Sequence, residues 1–207
     1  VASDIPATFR GLPTALVAGY VDGQYTWSAA DWLLHSSRIA VRIATRPTTN
    51  DGHVLDIEPG NADAGACLTW AKMRRAAGLA TPAIYCFSDA GPVGFRIGDV
   101  RAAFAAAGEP PPLFWITQWD DDPSTFDPAG DPFIIAKQYA GSAQTGAHFD
   151  ASVVADFWPG VDLPPSAYVT LEEFAAYQRD VHDSLDAIKA AVNPLIGHQH
   201  GVTGKTI

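Results

Sequence analysis

Positive charge is scarce in this chain of 207 residues. Lys and Arg number 13 against 23 Asp and Glu, for a formal net charge of -10, and no basic run occurs. Nucleic-acid binding draws most of its affinity from counterions released by clustered Lys and Arg, so DNA and RNA are excluded as partners, and anionic membrane surfaces with them. Cysteine is scarcer still. Cys67 falls in a predicted helix and Cys86 in a predicted strand, which supports neither a disulfide framework nor a metal knuckle; two buried free thiols are expected. No stretch reaches the roughly 20 apolar residues of a membrane span. Residues 1–13 also lack the basic-then-apolar order of a secretion signal, so any extracellular role requires another route out.

What the chain has is apolar and aromatic content, 47% and 11% with six Trp, together with 18 Gly and 16 Pro. That suits a real core built from short elements and tight loops. Short apolar runs bounded by Gly, Pro, Asn or Asp predict strands at 15–22, 38–44, 53–58, 81–87, 112–118 and 132–139. Helical patterns lie between most of them, at 28–36, 63–78 and 93–108, the last two closed by Gly78 and Gly108. Strands alternating with helices predict an α/β fold with a mostly parallel sheet. The expected form is an irregular or abbreviated TIM-like (β/α) barrel, because only residues 45–52 separate strands two and three, while a parallel crossover ordinarily takes a dozen or more. Asn50-Asp51-Gly52 is a turn signal. That pair is therefore expected to be antiparallel or joined by an unusually tight excursion.

Residues 1–162 form the predicted barrel, and 163–169, with Leu163-Pro164-Pro165-Ser166, read as a stiff linker. Residues 170–196 read as a helix opened by the capping box Thr170-Leu171-Glu172-Glu173. Within it Leu171, Phe174, Gln178, Val181, Leu185, Ile188, Val192 and Leu195 alternate steps of three and four, the spacing of a coiled-coil seam. Self-association is the expectation, with a homotrimer favoured because the a and d positions do not follow the dimer preference; a helix packed back on the barrel is the alternative. Residues 197–207 read as a flexible tail, and its His198 and His200 could bind a structural metal ion at a trimer tip, like the H-x-H tips of trimeric phage fibres. His35, His53, His148 and His182 are scattered and receive no role.

The most informative segment is His53-Val54-Leu55-Asp56-Ile57-Glu58-Pro59-Gly60. Residues two apart on a strand share a side, so Asp56 and Glu58 are expected together inside the C-terminal mouth of the barrel. Two poorly solvated carboxylates repel, and one should resist ionisation and be able to donate a proton. Glycoside cleavage needs such a pair. Tyr20-Val21-Asp22-Gly23, Tyr85, Gln118-Trp119-Asp120, Gln138-Tyr139 and His148-Phe149-Asp150 fall at the same predicted rim, supplying polar groups and flat apolar faces suited to sugar rings.

Asp22, Leu55-Asp56-Ile57-Glu58, Ile84-Tyr85, Gln138-Tyr139 and Phe149-Asp150 resemble, in order, the motifs of the family 25 glycoside hydrolases, the lysozyme-like muramidases. The likeness is closer to a shortened group of related domains in actinobacteria and their phages, on Tyr20-Val21-Asp22-Gly23, on the run from Asn50 to Asp56, and on Asp150-Ala151-Ser152-Val153-Val154. It spans about Leu16 to Asp162. The resemblance implies hydrolysis of the β-1,4 bond of peptidoglycan glycan, with Glu58 as general acid and Asp56 as its charged partner. It further implies Asp22 and Asp150 as supporting carboxylates, and Tyr85, Gln138 and Tyr139 around the sugar, to which the rim position adds Gln118 and Trp119. The short connection between strands two and three departs from the family pattern.

Two expectations follow, with bacterial cell-wall glycan as partner in both. One is a peptidoglycan-directed glycosidase carried as a phage tail-associated lysin or virion component; the other is a non-catalytic virion structural or receptor-binding protein that binds cell-surface glycan. Both place the chain on a virion, in contact with other virion proteins, or outside the cell, and neither requires a cofactor for catalysis.

Overall fold

The computed structural model describes residues 16–36, 38–145 and 149–162. The predicted linker, seam helix and H-x-H tail of 163–207 lie outside the described residues, as does His148. Contacts divide the chain into units 1–162 and 163–207, and everything below concerns the first.

Seven strands form one mixed sheet in simple sequence order, β1 (Leu16–Tyr20), β2 (Ile39–Ala44), β3 (Val54–Asp56), β4 (Ala83–Phe87), β5 (Leu113–Thr117), β6 (Ile134–Ala140) and β7 (Ala151–Val154). The sheet curls into a half-barrel, with β1 and β7 at the two ends of the strand order. Strands β1 to β6 are parallel, and β7 is antiparallel to β6. Three helices connect them, α1 (Ala29–Leu34), α2 (Ala64–Ala76) and α3 (Ile97–Ala106), with a single turn, α4 (Ser142–Thr145), before β7. Ser28 and Asp31 cap α1 reciprocally, and Asp63 caps α2 by accepting from the Ala66 amide, which satisfies amides that a helix start leaves without partners. Among the described residues no helix is long and apolar enough to cross a membrane.

The period of two along each strand separates two cores. Leu55, Ile57, Ile84, Cys86 and Phe114 pack outward against Cys67, Trp70 and Ala71 of α2 and Val100 and Phe104 of α3. Val41, Ile43, Val54, Ala83, Tyr85 and Trp115 fill the concave side. Strands buried on both faces read as continuous apolar runs, as these do. Both cysteines are free and buried. Trp158, 1% exposed, stands edge-on to Trp115 at 5.9 Å, while Thr81 ahead of β4 donates to the neighbouring Pro159 carbonyl at 3.2 Å. One end of the concave side is thus stoppered by apolar groups. Polar chemistry is left to the opposite end, where β1 to β6 finish.

Of the two arrangements expected for β2 and β3, the antiparallel one is incorrect: Ile43 pairs with Val54 and Ala44 with Leu55, in parallel. The tight excursion over 45–53 is possible because distant groups satisfy its polar backbone. Asp22 accepts from the Thr45 amide at 2.6 Å, the Thr45 hydroxyl at 2.8 Å, the Arg46 amide at 3.2 Å and the Thr49 hydroxyl. From α2, Trp70 donates to the Thr49 carbonyl at 3.0 Å, and Arg74 donates to the Gly52 and Asn50 carbonyls at 3.0 and 2.9 Å. Gly52, at φ 91, turns the chain back into β3 in a conformation that L side chains rarely adopt. Strand β7 is a further difference, since sequence periodicity did not mark residues 151–154. They are half-buried on both faces and show no alternation.

Candidate active site

Asp56 ends β3 and is 1% exposed. Its Oδ2 accepts from Asn61 Nδ2 at 3.0 Å and, more weakly, from the Tyr20 hydroxyl at 3.4 Å; its Oδ1 is buried with no hydrogen-bond partner among the described residues. Asn61 arrives there through the turn Glu58-Pro59-Gly60-Asn61, in which the Asn61 amide donates to the Glu58 carbonyl at 2.9 Å and Gly60 takes φ 101. Pro then Gly at the centre of a turn is the sequence of type II, whose third residue needs a positive φ. Burial, reinforced by the nearby Glu58 charge, pushes the Asp56 carboxyl up to about 8.

Glu58 follows two residues later and is half-buried. Burial raises its pKa, the Tyr85 hydroxyl lowers it by hydrogen bonding, and the charge of Asp150 raises it, with a net upward result. Tyr85 is the register partner of Asp56 on β4. Its hydroxyl donates to Gln138 Oε1 on β6 and also lies within reach of Glu58 and Thr117. Gln138 in turn bonds the carboxyl of Asp150, which fits an amide that accepts through oxygen from Tyr85 and donates through nitrogen to Asp150. Asp150 is open to solvent as a residue, yet burial of its carboxyl is still the largest influence and raises its pKa; the Ser142 amide and Gln138 pull the other way. Because β7 runs against the other strands, its beginning, not its end, lies at this mouth.

No protein-family model, curated protein or solved structure matches the chain. The chemistry must therefore be judged from the arrangement itself. Three carboxyl groups, all with raised pKa values, gather near the half-buried Tyr20 and the buried Tyr85, whose own pKa values desolvation and neighbouring carboxylates push upward. Such a set retains a proton near neutral pH and places it beside groups that stay charged, the condition for proton transfer to an oxygen leaving group. Among the described residues no three His, Cys, Asp or Glu side chains are placed to hold a metal ion.

Of the residues singled out from sequence, Asp56, Glu58, Tyr85, Gln138 and Asp150 are brought together. Asp22 lies within electrostatic range of Asp56 but is engaged by Thr45, Arg46 and Thr49. Burial acts upward on it most strongly, yet the hydrogen bonds from Thr49, Thr45 and Arg46 together outweigh burial and lower its pKa. Gln118 is exposed and donates to Asp120 at 3.1 Å. Trp119 is 55% exposed and meets Phe87 edge-on at 6.4 Å. Tyr139, next to Gln138 on β6, is half-buried and sits where the pairing with β7 shifts register between Gln138 and Ala140. His198 and His200 lie outside the described residues. Sequence reasoning missed Asn61 and Thr117. The Pro59-Gly60 pair was the available signal for the first; Thr117 carried none, being one polar residue at the end of an apolar strand.

Proposed function

We propose that this chain is a peptidoglycan-directed glycosidase that hydrolyses β-1,4 glycan bonds at the mouth of an abbreviated (β/α) half-barrel. The observation that carries the reading is the cluster Asp56, Glu58, Tyr85, Gln138 and Asp150, in which three carboxyls with raised pKa values gather around a tyrosine that donates to an amide. Burial keeps a proton on Asp56 near neutral pH and raises the Glu58 pKa as well. Glu58, the less buried of the two, donates its own proton to the leaving oxygen as the bond to the anomeric carbon breaks, and its carboxylate then faces the oxocarbenium ion and takes up the proton that water releases on adding. Asp150 and Gln138 orient the ring from the far side. The motif resemblance to the family 25 glycoside hydrolases supports the choice of glycan.

A second reading, a virion structural or receptor-binding protein that holds cell-surface glycan without cutting it, is favoured by one observation. Asp22, a supporting carboxylate by resemblance, is hydrogen-bonded throughout by the 45–49 segment. The seam of 170–196, read as a trimeric coiled coil with a metal-binding H-x-H tip at His198 and His200, supports a place on a phage particle under either reading.

Clearing of an actinobacterial cell-wall suspension, with release of reducing ends, separates the two. Cleavage by the native chain and a loss of a hundredfold or more in Glu58→Gln, the usual scale of acid catalysis, are expected. Wall binding without any cleavage would establish the second reading.

A further inference from the structure

Lys137 is a buried cation that the carboxyl cluster does not use. It is 1% exposed on β6 and, as the neighbour of Gln138, points away from the carboxyl cluster. Its ammonium donates to both carboxylate oxygens of Asp120 at 2.8 and 2.6 Å, to the Asp122 carbonyl at 2.9 Å and to the Thr125 hydroxyl. The Thr125 hydroxyl bonds Asp120 Oδ2 at 2.9 Å, and Asp120 also accepts from Gln118 Nε2 and the Asp122 amide, each at 3.1 Å. Residues 118, 120, 122 and 125 of one loop are thereby gathered round a single ion pair. The hydrogen-bonded ammonium holds the Asp120 carboxyl down at about 2, so the carboxylate stays charged across the working pH range.

The loop is also strained. Asp121 has φ 56, the one positive value outside glycine among the described residues, and its amide is tied to the Tyr139 carbonyl at 2.9 Å. Such backbone persists where its surroundings over-determine it, and it concentrates at ligand sites. An ion pair whose carboxylate partner is open to solvent is a poor route to stability. What this one achieves is a fixed loop whose large outward side chain is Trp119. The indole lies against Phe87, which shares the concave face with Tyr85 two residues earlier. From the carboxyl cluster outward the order is Tyr85, Phe87, Trp119.

We infer that Phe87 and Trp119 form a stacking subsite for the apolar face of a pyranose ring next to the one being cut, and that Lys137 is the positioning residue that holds Trp119 ready for it. The inference rests on the glycan reading above and names where the neighbouring sugar lies. A flat side chain fixed before binding loses little conformational entropy when a ring stacks on it, and there the loop adds affinity. A solvated Trp on a loose loop would not.

The test is titration calorimetry of the full chain carrying Glu58→Gln, with a soluble β-1,4-linked N-acetylglucosamine hexamer as the probe. In that background Trp119→Ala and Lys137→Met should each weaken binding about tenfold or more, and the double variant should bind no worse than Trp119→Ala alone. That non-additivity is the signature of Lys137 acting through Trp119; a purely structural role would give additive losses and overturn the positioning claim. Should Lys137→Met fail to fold, Thr125→Val removes one exposed arm of the same network and should show the same non-additivity at smaller size. Unchanged binding in Trp119→Ala, with walls still cleared by the native chain, would overturn the subsite and leave the glycosidase reading intact. Native protein that neither binds the hexamer nor clears walls overturns both.

Discussion

Asp56 on β3 and Tyr85 on β4 are direct partners across the parallel ladder, so carboxyl and phenol leave adjacent strands at the same height and on the same face. This pairing turns two isolated polar residues into a coupled unit. The negative charges of Glu58 and Asp56 act on Tyr85 beyond the effect of burial, and Glu58 acts on Asp56 in the same way.

A buried acid with a raised pKa makes stability depend on pH. Between the ordinary aspartate value and about 8 the folded state keeps a proton that the unfolded state has released, so stability falls as pH rises through that window. Asp56→Asn removes the linkage while preserving shape. Thermal unfolding should show the native chain losing stability from pH 5 to pH 8, and the variant losing less, with a relative gain at pH 8 of about 1 kcal/mol or more at about 1.4 kcal/mol per pKa unit. Parallel pH dependences would show that Asp56 ionises normally.

Tyr85→Phe removes the hydroxyl that hydrogen-bonds Glu58 and Gln138. Since that bond lowers the Glu58 pKa, its loss should let the value climb. The Glu58 limb of the wall-cleavage pH profile should move to higher pH, and the maximal rate should drop about tenfold, the scale of one hydrogen bond near 1.4 kcal/mol. An unshifted limb would disconnect Tyr85 from Glu58.

Asp22 is expected to behave as a structural residue. Asp22→Ala strands the Thr45 and Arg46 amides and the Thr49 hydroxyl, and denaturant unfolding should register a loss of about 2 to 3 kcal/mol, in the range for bonds to a charged acceptor. Its bonded carboxylate has a lowered pKa, so this contribution is present above the ordinary aspartate value and lost as pH falls through the folded one. Cleavage per folded molecule should stay within a few-fold of native. A hundredfold fall in a fully folded variant would instead make Asp22 a catalytic carboxylate.

The seam of 170–196 predicts a trimer for the full chain in light scattering at micromolar concentration. An apolar stripe left in water would cost about 1.5 to 3 kcal/mol for each large side chain, and association removes that exposure. A monomer would end the coiled-coil reading and weaken the case for a particle-mounted protein.

Local chemistry was enough for much of this molecule. Strand-forming runs such as Ala83 to Phe87 are apolar on both faces, and α2 carries its cap at Asp63 and its end at Gly78, so element positions follow from periodicity and punctuation. The Asp-x-Glu of Asp56 and Glu58, placed where an apolar strand stops, marked the candidate site and led to the expectation that one carboxyl would resist ionisation. Tertiary structure decided what depends on groups far apart in the chain. The β2–β3 link is parallel because Asp22, Trp70 and Arg74 satisfy its backbone from three other places, which no count of linking residues can reveal. Asp150 reaches the mouth only because β7 is reversed, and strand direction is set by pairing along its whole length. Lys137 is one charged residue in an otherwise largely apolar strand, and only the 118–125 loop packed on its ammonium gives it a task. Which carboxyl holds its proton most firmly was likewise beyond the sequence. Asp56 does so because the concave core and the Asn61 turn together exclude water from it, and desolvation belongs to the packed structure, not to the residue.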